Sequence, residues 1–564
     1  MRTPELTSTL PLRCRLAAWL MCLIASVSLQ ALAQTSAGTS LPPAITAEKV
    51  RAEDPEVLRA LAGWRLESLL GKPLAEVPLE GGQPGRFRAA LLRDTVLLED
   101  LLTALPDTPD AATRAIAVLH QIWTDDPACR QQGLWRRFAV GTAVAYAKDV
   151  IWWGDSKTPL DPLAMYHDFK TAHAEKKLFA CFNSLPAWQM VFVAGTWARP
   201  DELQWARADK DVQPYRTWKK VFDSSDLITY QDVNPNNGVS LFTDSLQFYE
   251  GHPYTLQSMR QFGGVCGTVA RFAVGVAQAN GAPSMPSGQP GHCAYLQLAP
   301  GGQWLIGNDI SGWEQSYEHP GILIPWGPHA LFLKLHTDAR VDEAAFRKAE
   351  RLCWLAAGTS GQEKLSLLKE ITEQHPLYYP AWRAWIEVLA KDKRMNPIRK
   401  WHGLVKPVLK DYSVPLLALE KLSGLPIPQE KRYKIVQVQT GKVLAVEGGS
   451  ADSGARVVVA DDDGSPSQQW RFVQKGGGMQ VFNVQSECVL NVTSNSKEPG
   501  GAIIIYNATA DLNSSWTWVG RPKHRRLKSQ SSGLLLDVGE DGKVIQSKGR
   551  PNDDNQSWQT VAVP

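Results

Sequence analysis

Gly441-Lys-Val-Leu-Ala-Val446, Cys488-Val-Leu-Asn-Val492 and Gly533-Leu-Leu-Leu-Asp-Val538 are three short apolar runs built on one pattern. Each run leads to a tryptophan, in Gln468-Gln-Trp470, Ser514-Ser-Trp516 and Gln556-Ser-Trp558. The runs are separated by Gly, Asn and Asp turns, which is typical of strands. Three such repeats, recurring at nearly equal intervals, predict a closed all-β domain whose tryptophans share one core.

The repeats resemble the ricin-B lectin family over about 433–564. The family's Gln-x-Trp signature is present in the first and third repeats, and the second has Ser-x-Trp. The resemblance implies a β-trefoil over 431–564 whose partner is a carbohydrate or glycan. The alternative is a trefoil that serves only as a protein-docking spacer, because a fold does not fix its ligand.

The same resemblance implies one shallow sugar pocket per repeat, built from an Asp, an aromatic residue and an Asn-Gln pair. In such a pocket a carboxylate and an amide bracket vicinal hydroxyls, and the aromatic ring covers the apolar C–H face of the sugar. The residues that this implies in the third repeat are Asp537, Asn555 and Gln556, with Lys548 at the aromatic position. Those in the second are Asn491, Tyr506 and Asn513, with Ser514 in place of Gln. The first repeat has Ala445 and Ser467 and is expected to be inactive.

A second pattern lies in the middle of the chain, where Cys266 follows two glycines in Phe262-Gly-Gly-Val-Cys266. An apolar helical pattern begins at this cysteine and closes at Gly281, which places the thiol at a helix N-terminus. There the helix dipole and the free backbone N–H groups stabilise a thiolate. His292 begins a predicted strand, and the next strand ends in Asn308-Asp309. In this order an imidazole takes the thiol proton while an acid orients the imidazole.

This block resembles the transglutaminase-like, papain-related superfamily. The matching motifs are Gly264-Val-Cys266, Gly281-Ala-Pro283, Gly291-His292-Cys293-Ala294 and Trp304 followed by Asp309. The resemblance implies the catalytic residues Cys266, His292 and Asp309 and a peptide or protein substrate, with hydrolysis of a peptide or amide bond favoured over acyl transfer. Asn308-Asp309-Ile-Ser replaces the family's Asp-Pro-Thr, so Asn308 is the alternative to Asp309. The alternative to an enzyme is a non-catalytic carbohydrate-binding or scaffold protein with a retired transglutaminase-like domain.

The N-terminus has the pattern of an export signal. Arg2, Arg13 and Arg15 precede an apolar stretch over 16–29, and Ala31-Leu-Ala33 supplies small residues for cleavage. We therefore expect a signal peptide over 1–33, a flexible leader over 34–48, and a secreted or periplasmic mature protein. No later stretch is long and apolar enough to cross a bilayer, so no membrane span is expected after cleavage.

Composition bounds the remaining possibilities. The chain has 564 residues, of which 44% are hydrophobic and 21% charged, and a net charge of +3. That length predicts several domains, and so small a net charge does not favour nucleic-acid binding. Without a CxxC pair or spaced histidines, no metal or other cofactor is expected.

The predicted architecture is multidomain: an α+β transglutaminase-like core with helical N- and C-terminal additions, followed by the all-β trefoil. A mainly helical region is expected over 49–250 and the Cys/His/Asp core over 251–340. A helical hairpin of tetratricopeptide type is expected over 341–392, with helices at 342–357, 362–375 and 380–390. The scattered prolines of 393–430 predict a connector.

Overall fold

The computed structural model describes residues 40–289, 292–310, 312–318, 329–391, 395–424, 432–475, 478–508, 511–520, 525–550 and 553–563. Of these, the residues within 1–286, 295–307 and 318–423 form one compact unit, and those within 287–294, 308–317 and 424–564 form a second. The predicted signal peptide lies outside the described residues. Of the leader expected over 34–48, residues 34–39 lie outside the described residues, whereas Ile45 is buried and the first helix begins at Ala47.

Helices fill the region 49–250, as the sequence predicts. Their bounds are α1 Ala47–Arg51, α2 Pro55–Leu70, α3 Pro84–Arg93, α4 Thr95–Ala104, α5 Pro109–Asp125, α6 Leu134–Ala145, α7 Pro162–Ala174, α8 Ala187–Ala194, α9 Pro200–Ala208 and α10 Ser245–Phe248. Among the residues that the structure describes, no helix combines the length and the apolarity needed to cross a bilayer.

Local sequence explains where these helices begin and end. The carboxylate of Asp54 accepts hydrogen bonds from the backbone N–H groups of Glu56 and Val57, and proline occupies the first position of α2. Proline is tolerated there because the N–H that it lacks has no partner inside the helix. The helix stops at Gly71, whose φ of 67° is left-handed and therefore favours glycine.

The middle of the chain combines two helices with a small sheet. The helices are α11 Leu256–Phe262 and α12 Cys266–Ala279, and the strands are β1 Ser284–Gln289, β2 His292–Leu298, β3 Trp304–Gly307 and β4 Tyr317–Glu318. The strand order is β3-β2-β1-β4. Strands β2 and β3 are antiparallel, with Tyr295 opposite Gly307 and Leu298 opposite Trp304.

A second group of helices follows the sheet: α13 Ala330–Ala339, α14 Glu343–Gly358, α15 Gly361–Gln374, α16 Tyr379–Lys391, α17 Met395–Val408 and α18 Ser413–Ser423. Helices α14 to α16 lie within one residue of the three predicted ones. The connector predicted over 393–430 is instead largely helical, as α17 and α18. Its prolines mislead because Pro397 and Pro415 lie in first turns, where the missing N–H costs nothing, and Pro407 lies at the last turn of α17.

The C-terminal part of the second unit is all-β. Its strands are β5 Tyr433–Gln437, β6 Val443–Val446, β7 Val457–Ala460, β8 Trp470–Lys475, β9 Gly478–Asn483, β10 Val489–Val492, β11 Ile503–Tyr506, β12 Trp516–Val519, β13 Arg526–Ser529, β14 Leu535–Val538, β15 Val544–Ser547 and β16 Trp558–Ala562. The last strand pairs with the first, from Trp558 opposite Gln437 to Ala562 opposite Tyr433. This pairing joins the first and last strands of the domain, and together with the pairing of β5 with β6 and β8 it leaves β5 without an open edge.

Three hairpins repeat within this domain: β6–β7, β10–β11 and β14–β15. Single backbone bridges join them pairwise: Arg456 pairs with Ile504, Val458 with Lys543, and Ala502 with Ile545. Three equivalent hairpins in mutual contact above a common core are the arrangement of a β-trefoil.

Candidate functional site

The three repeat tryptophans fix the strands that carry the predicted pocket residues. Trp470, Trp516 and Trp558 are fully buried in one core. Their indole N–H groups donate to the backbone carbonyls of Leu444 at 2.9 Å, Leu490 at 2.9 Å and Leu536 at 3.2 Å, respectively. The residue after each of these leucines is the pocket position: Ala445, Asn491 or Asp537. Each tryptophan therefore holds its strand through the backbone carbonyl one residue before the pocket position.

In the third repeat, the structure brings the three predicted sugar-binding residues together around Asp537, which is 1% exposed. Asn555 Nδ2 donates to Asp537 Oδ1 at 2.8 Å, and Gln556 Nε2 donates to Asp537 Oδ2 at 3.0 Å. The backbone N–H of Val538 also donates to Oδ1. Burial of this carboxylate is tolerated because several donors solvate it.

Two further side chains hold this cluster. Arg550 Nη2 lies 2.9 Å from Asp537 Oδ2, and the same guanidinium pairs with Asp553. The hydrogen bond to Asp553, together with the charge of Asp537, raises the pKa of Arg550 above its usual value. Gln437, from the first strand of the domain, donates to Asn555 Oδ1 at 2.6 Å. Neither partner was predicted from the sequence: an arginine in a turn gives no signal, and Gln437 lies outside the repeated pattern.

The second repeat reproduces this geometry with an amide in place of the acid. Asn513 Nδ2 donates to Asn491 Oδ1 at 3.1 Å and to the carbonyl of Val492 at 3.0 Å. In the third repeat, Asn555 makes the same pair of bonds to Asp537 and Val538. Tyr506 is 44% exposed, so one aromatic side chain of this repeat is available to solvent.

Strand register corrects one predicted position. Tyr506 pairs with Val489, two residues before Asn491, whereas the residue opposite Leu535, two before Asp537, is Ser547 rather than Lys548. The hairpin connections of the two repeats, 539–543 and 493–502, differ in length, so alignment of the apolar runs alone does not fix which residue faces the pocket strand. Neither residue is aromatic.

The first repeat offers no bracketing groups at the pocket position. Ala445 and Ser467 are both buried, 3% and 5% exposed. The Ser467 hydroxyl lies 2.8 Å from that of Ser465, and its carbonyl accepts from Asn483. The Ala445 methyl group cannot accept a hydrogen bond, and the Ser467 hydroxyl is already paired with that of Ser465. Neither therefore offers a sugar an acceptor equivalent to the Asp537 carboxylate.

Cys266 is the first residue of α12, as the sequence predicts, and it lies in the first unit. The preceding residue, Val265, caps the helix without any side-chain hydrogen bond, because valine has no acceptor to offer the first N–H groups. Two tyrosines contact the first turn of α12: the hydroxyls of Tyr249 and Tyr254 lie 3.2 and 3.1 Å from Thr268 Oγ1. The half-buried thiol therefore starts a helix whose N-terminal amides no N-cap side chain satisfies.

His292, Asn308 and Asp309 lie in the second unit. His292 begins β2, and its Nε2 is 2.6 Å from the backbone carbonyl of Asn308. That contact favours the tautomer with hydrogen on Nε2, which leaves Nδ1 as the proton acceptor. Asn308, with a left-handed φ of 52°, directs its side-chain amide to the carbonyl of Cys293.

The carboxylate of Asp309 is engaged by Gln289. Gln289 Nε2 donates to Asp309 Oδ1 at 2.6 Å, and the N–H of Gly312 donates to the same oxygen at 2.8 Å. Gln289 is fully buried and also donates to Ser316 Oγ. The sequence analysis did not identify Gln289, although it stands three residues before His292. The assignment of Cys266, His292 and Asp309 as one catalytic set stays a prediction.

Within the described ranges, no group of three or more His, Cys, Asp and Glu side chains is arranged to hold a metal ion.

Comparisons with known proteins concern the C-terminal part of the chain. The family described as ricin-type beta-trefoil lectin domain-like matches residues 426–506. Among solved structures, the designed three-fold symmetric protein ThreeFoil is 32% identical, with 23% of this chain and 99% of that chain covered and a TM-score of 0.23. An exo-β-1,3-galactanase from Clostridium thermocellum is 38% identical, with 24% and 31% covered and a TM-score of 0.23. The Rhizoctonia solani agglutinin is 23% identical, with 24% and 99% covered and a TM-score of 0.21. No curated protein matches the chain.

The family match and the three-fold arrangement of hairpins and tryptophans agree on the part of the chain after the helices. The chain therefore carries a C-terminal ricin-type β-trefoil lectin-like domain behind a helical N-terminal region.

Proposed function

We propose that this chain is an exported carbohydrate-binding protein whose trefoil holds glycan through its second and third repeats. The observation that carries the proposal is the shared geometry of those repeats, in which an asparagine amide donates to a buried Asp537 or Asn491. Such a cluster presents oriented polar groups to a sugar's hydroxyls. Export is proposed from the N-terminal signal pattern alone.

An array of immobilised glycans, probed with the chain starting at residue 34, tests this proposal. We expect saturable binding, and Tyr506→Ala should weaken any binding at the second repeat by about 0.5–1.5 kcal/mol, since the exposed ring would cover the sugar's C–H face. The matched control is Val561→Ala, which shortens an equally exposed apolar side chain on β16. A chain that binds no glycan would contradict the proposal and favour the docking-spacer alternative.

A second proposed function is hydrolysis of a peptide or amide bond by Cys266, with His292 as base. It is favoured by the uncapped N-terminus of α12 and by the contact of His292 Nε2 with the Asn308 carbonyl. A carbonyl oxygen at Nε2 does the orienting that the sequence analysis assigned to Asp309 or Asn308 side chains. The trefoil would then tether the enzyme to a glycan-bearing surface and raise the local substrate concentration.

Hydrolysis of a fluorogenic peptide library tests the second function. Cys266→Ser and His292→Ala should each abolish turnover, because one removes the nucleophile and the other its base. Cys488→Ser is the control, since this thiol is buried in the trefoil core. Turnover that survives Cys266→Ser, or no turnover by any form, would leave the non-catalytic scaffold as the better interpretation.

A further inference from the structure

The acceptor capacity of Asp537 raises a question about the proposed sugar site. A carboxylate offers about four lone-pair positions. Val538 N–H and Asn555 Nδ2 occupy those of Oδ1, and Gln556 Nε2 and Arg550 Nη2 occupy those of Oδ2. A sugar hydroxyl can donate to Asp537 only if one of these four donors leaves.

Three of the four donors are fixed. Val538 is backbone, and Asn555 is also bound to the Val538 carbonyl and to Gln437. Gln556 is fully buried and bound to the Lys548 carbonyl and the Arg550 N–H. Moving Asn555 would break these further hydrogen bonds, and moving Gln556 would leave a buried amide without partners, which is costly.

The fourth donor, Arg550, is neither buried nor dependent on Asp537 as its only partner. The Arg550 side chain is 50% exposed, so its guanidinium is rehydrated when it leaves Asp537. It also has a second carboxylate partner, Asp553, three residues away. Because water and Asp553 can both replace Asp537 as partners of this half-exposed guanidinium, Arg550 is the donor of the four that can leave at the lowest cost.

From this difference we propose that Arg550 is a latch on the third-repeat pocket: it competes with neutral saccharides for Asp537 and so determines which glycans that repeat accepts. The inference rests on the proposed carbohydrate binding. Binding of a neutral sugar exchanges one hydrogen bond for another, as a sugar hydroxyl replaces Arg550 Nη2 on Oδ2 while the guanidinium stays paired with Asp553. No covalent bond changes in this exchange.

The latch predicts an unusual effect of salt concentration on glycan binding by the third repeat. Salt screens the pair of Arg550 and Asp537, whereas a neutral sugar has no charge to be screened. Neutral-glycan binding to the third repeat should therefore strengthen as salt concentration rises. An arginine that instead contacted an acidic glycan would give binding that weakens with salt.

An array of neutral oligosaccharides, probed with the full mature chain carrying Tyr506→Ala to reduce binding by the second repeat, provides the test. Adding Arg550→Gln should tighten binding about threefold to fivefold, the scale of a released exposed ion pair. The control is Lys543→Gln, which removes the same charge from the same repeat, where Lys543 lies 3.5 Å from Asp541. Going from low to high salt should tighten binding of the parent roughly twofold and leave Arg550→Gln unchanged.

The outcomes separate the latch from the function on which it rests. Neutral binding that Arg550→Gln leaves unchanged or weakens overturns the latch, while carbohydrate binding stands. Binding that Lys543→Gln strengthens equally also overturns it, because net charge would then be the cause. Absence of binding in the parent and in every variant overturns both the proposed function and the latch.

Discussion

Asp537 shows how one residue can serve both the fold and a proposed pocket. Its carboxylate is almost fully buried, and it accepts from Asn555, Gln556, Arg550 and a backbone N–H. Among the residues that the structure describes, its counterpart Asn491 accepts one side-chain hydrogen bond, from Asn513. The two equivalent positions therefore differ in how much of the surrounding structure depends on them.

Asp537→Ala should destabilise the trefoil by about 2–4 kcal/mol, because the buried amide of Gln556 and the partly buried amide of Asn555 each lose an acceptor. Urea denaturation followed by tryptophan fluorescence measures this loss, and Asn491→Ala should cost only about 1 kcal/mol.

The same substitution of Asp537 should also weaken glycan binding. On a polysaccharide resin, under conditions in which the parent and Asp537→Ala are both fully folded, Asp537→Ala should weaken retention by roughly 1.5–3 kcal/mol. Equal stability losses at the two positions would contradict the difference described above, and unchanged retention would move the main site to Tyr506.

The surroundings of Cys129, Cys181, Cys353 and Cys488 make these four thiols unreactive. Desolvation raises the pKa of Cys129, Cys181 and Cys353 to about 12, and it also raises the pKa of Cys488. Such thiols carry almost no thiolate at neutral pH and react slowly.

Limiting iodoacetamide should therefore modify Cys266 before these four cysteines, because a helix N-terminus stabilises its thiolate. His292→Ala should slow the labelling, and Asp309→Ala should slow it less, since the Asn308 carbonyl already contacts His292 Nε2. Peptide mapping by mass spectrometry measures each rate. Labelling of Cys266 no faster than that of a free cysteine, and indifferent to His292→Ala, would sink the enzyme proposal.

At the scale of single residues, sequence patterns predicted positions better than partners. Cys266 begins its helix and the three tryptophans are buried, because apolar periodicity and glycine turns are local signals. The pairing of Arg550 with Asp537 depends on the path of the turn after β15, which no local pattern encodes. The misplaced Lys548 has a related cause, since apolar alignment does not measure the length of a hairpin connection.

At the scale of elements, the glycine pair before α12 is set by close backbone contacts. Gly263 has a φ of 69°, and a Cβ there would lie 2.2 Å from the carbonyl oxygen of Thr229. A Cβ at Gly264 would lie 2.2 Å from Thr268 Oγ1. The turn that presents Cys266 thus has no room for a side chain at either position.

Gly263→Ala should destabilise the first unit by about 2 kcal/mol or more, from the left-handed φ together with the clash. Urea denaturation followed by circular dichroism at a helical wavelength measures it. The matched control is Gly85→Ala in the first turn of α3, where a Cβ meets nothing within 4 Å. That control should be neutral or stabilising by up to about 1 kcal/mol. An unfolding free energy that Gly263→Ala leaves unchanged would mean that the turn is more plastic than described.

The helices after the small sheet show what element-scale patterns reveal and what they miss. Apolar spacing predicted α14, α15 and α16 almost to the residue. The same region's prolines concealed α17 and α18, because Pro397 and Pro415 lie where a helix tolerates them. Each of these two prolines therefore indicates where a helix begins, because the first turn tolerates it, and does not by itself argue against a helix.

At the scale of the whole domain, closure of the trefoil depends on its last strand. Strand β16 supplies the buried Trp558 and pairs with β5 over five residues. Residues 558–562 therefore supply the third of the three core tryptophans. They also form the seam, meaning the pairing of the domain's last strand, β16, with its first, β5.

A chain that ends at residue 557 should consequently lose the cooperative unfolding transition of the trefoil. The expected loss includes a buried tryptophan, about 3–5 kcal/mol by itself, and the exposure of β5 as an open edge. Calorimetry of the truncated and full chains measures it, with Val561→Ala as the control for a minor change in the same strand. A truncated chain that keeps the transition would show that the barrel closes without β16.

Internal repetition is the reason that the sequence predicted this domain best. Three copies of one pattern reinforce each other, and the tryptophans mark equivalent points on a closed core. The middle of the chain offers a single copy of each motif. The helix at Cys266 and the strands β2 and β3 match the prediction, whereas α11, β1 and β4 were not predicted. Assembly of Cys266 and His292 into a catalytic set depends on tertiary positions that local sequence patterns do not reveal.

The seam between β5 and β16 also has a mechanical consequence. Tension on the chain that precedes the trefoil enters the domain at Tyr433, and it loads β5 along its axis when the pull is directed along that strand. The hydrogen bonds that join β5 to β16 run across that axis, so they are loaded in shear and must rupture together rather than one after another. An anchor built in this way resists a steady tug better than one whose terminal strand peels from an edge.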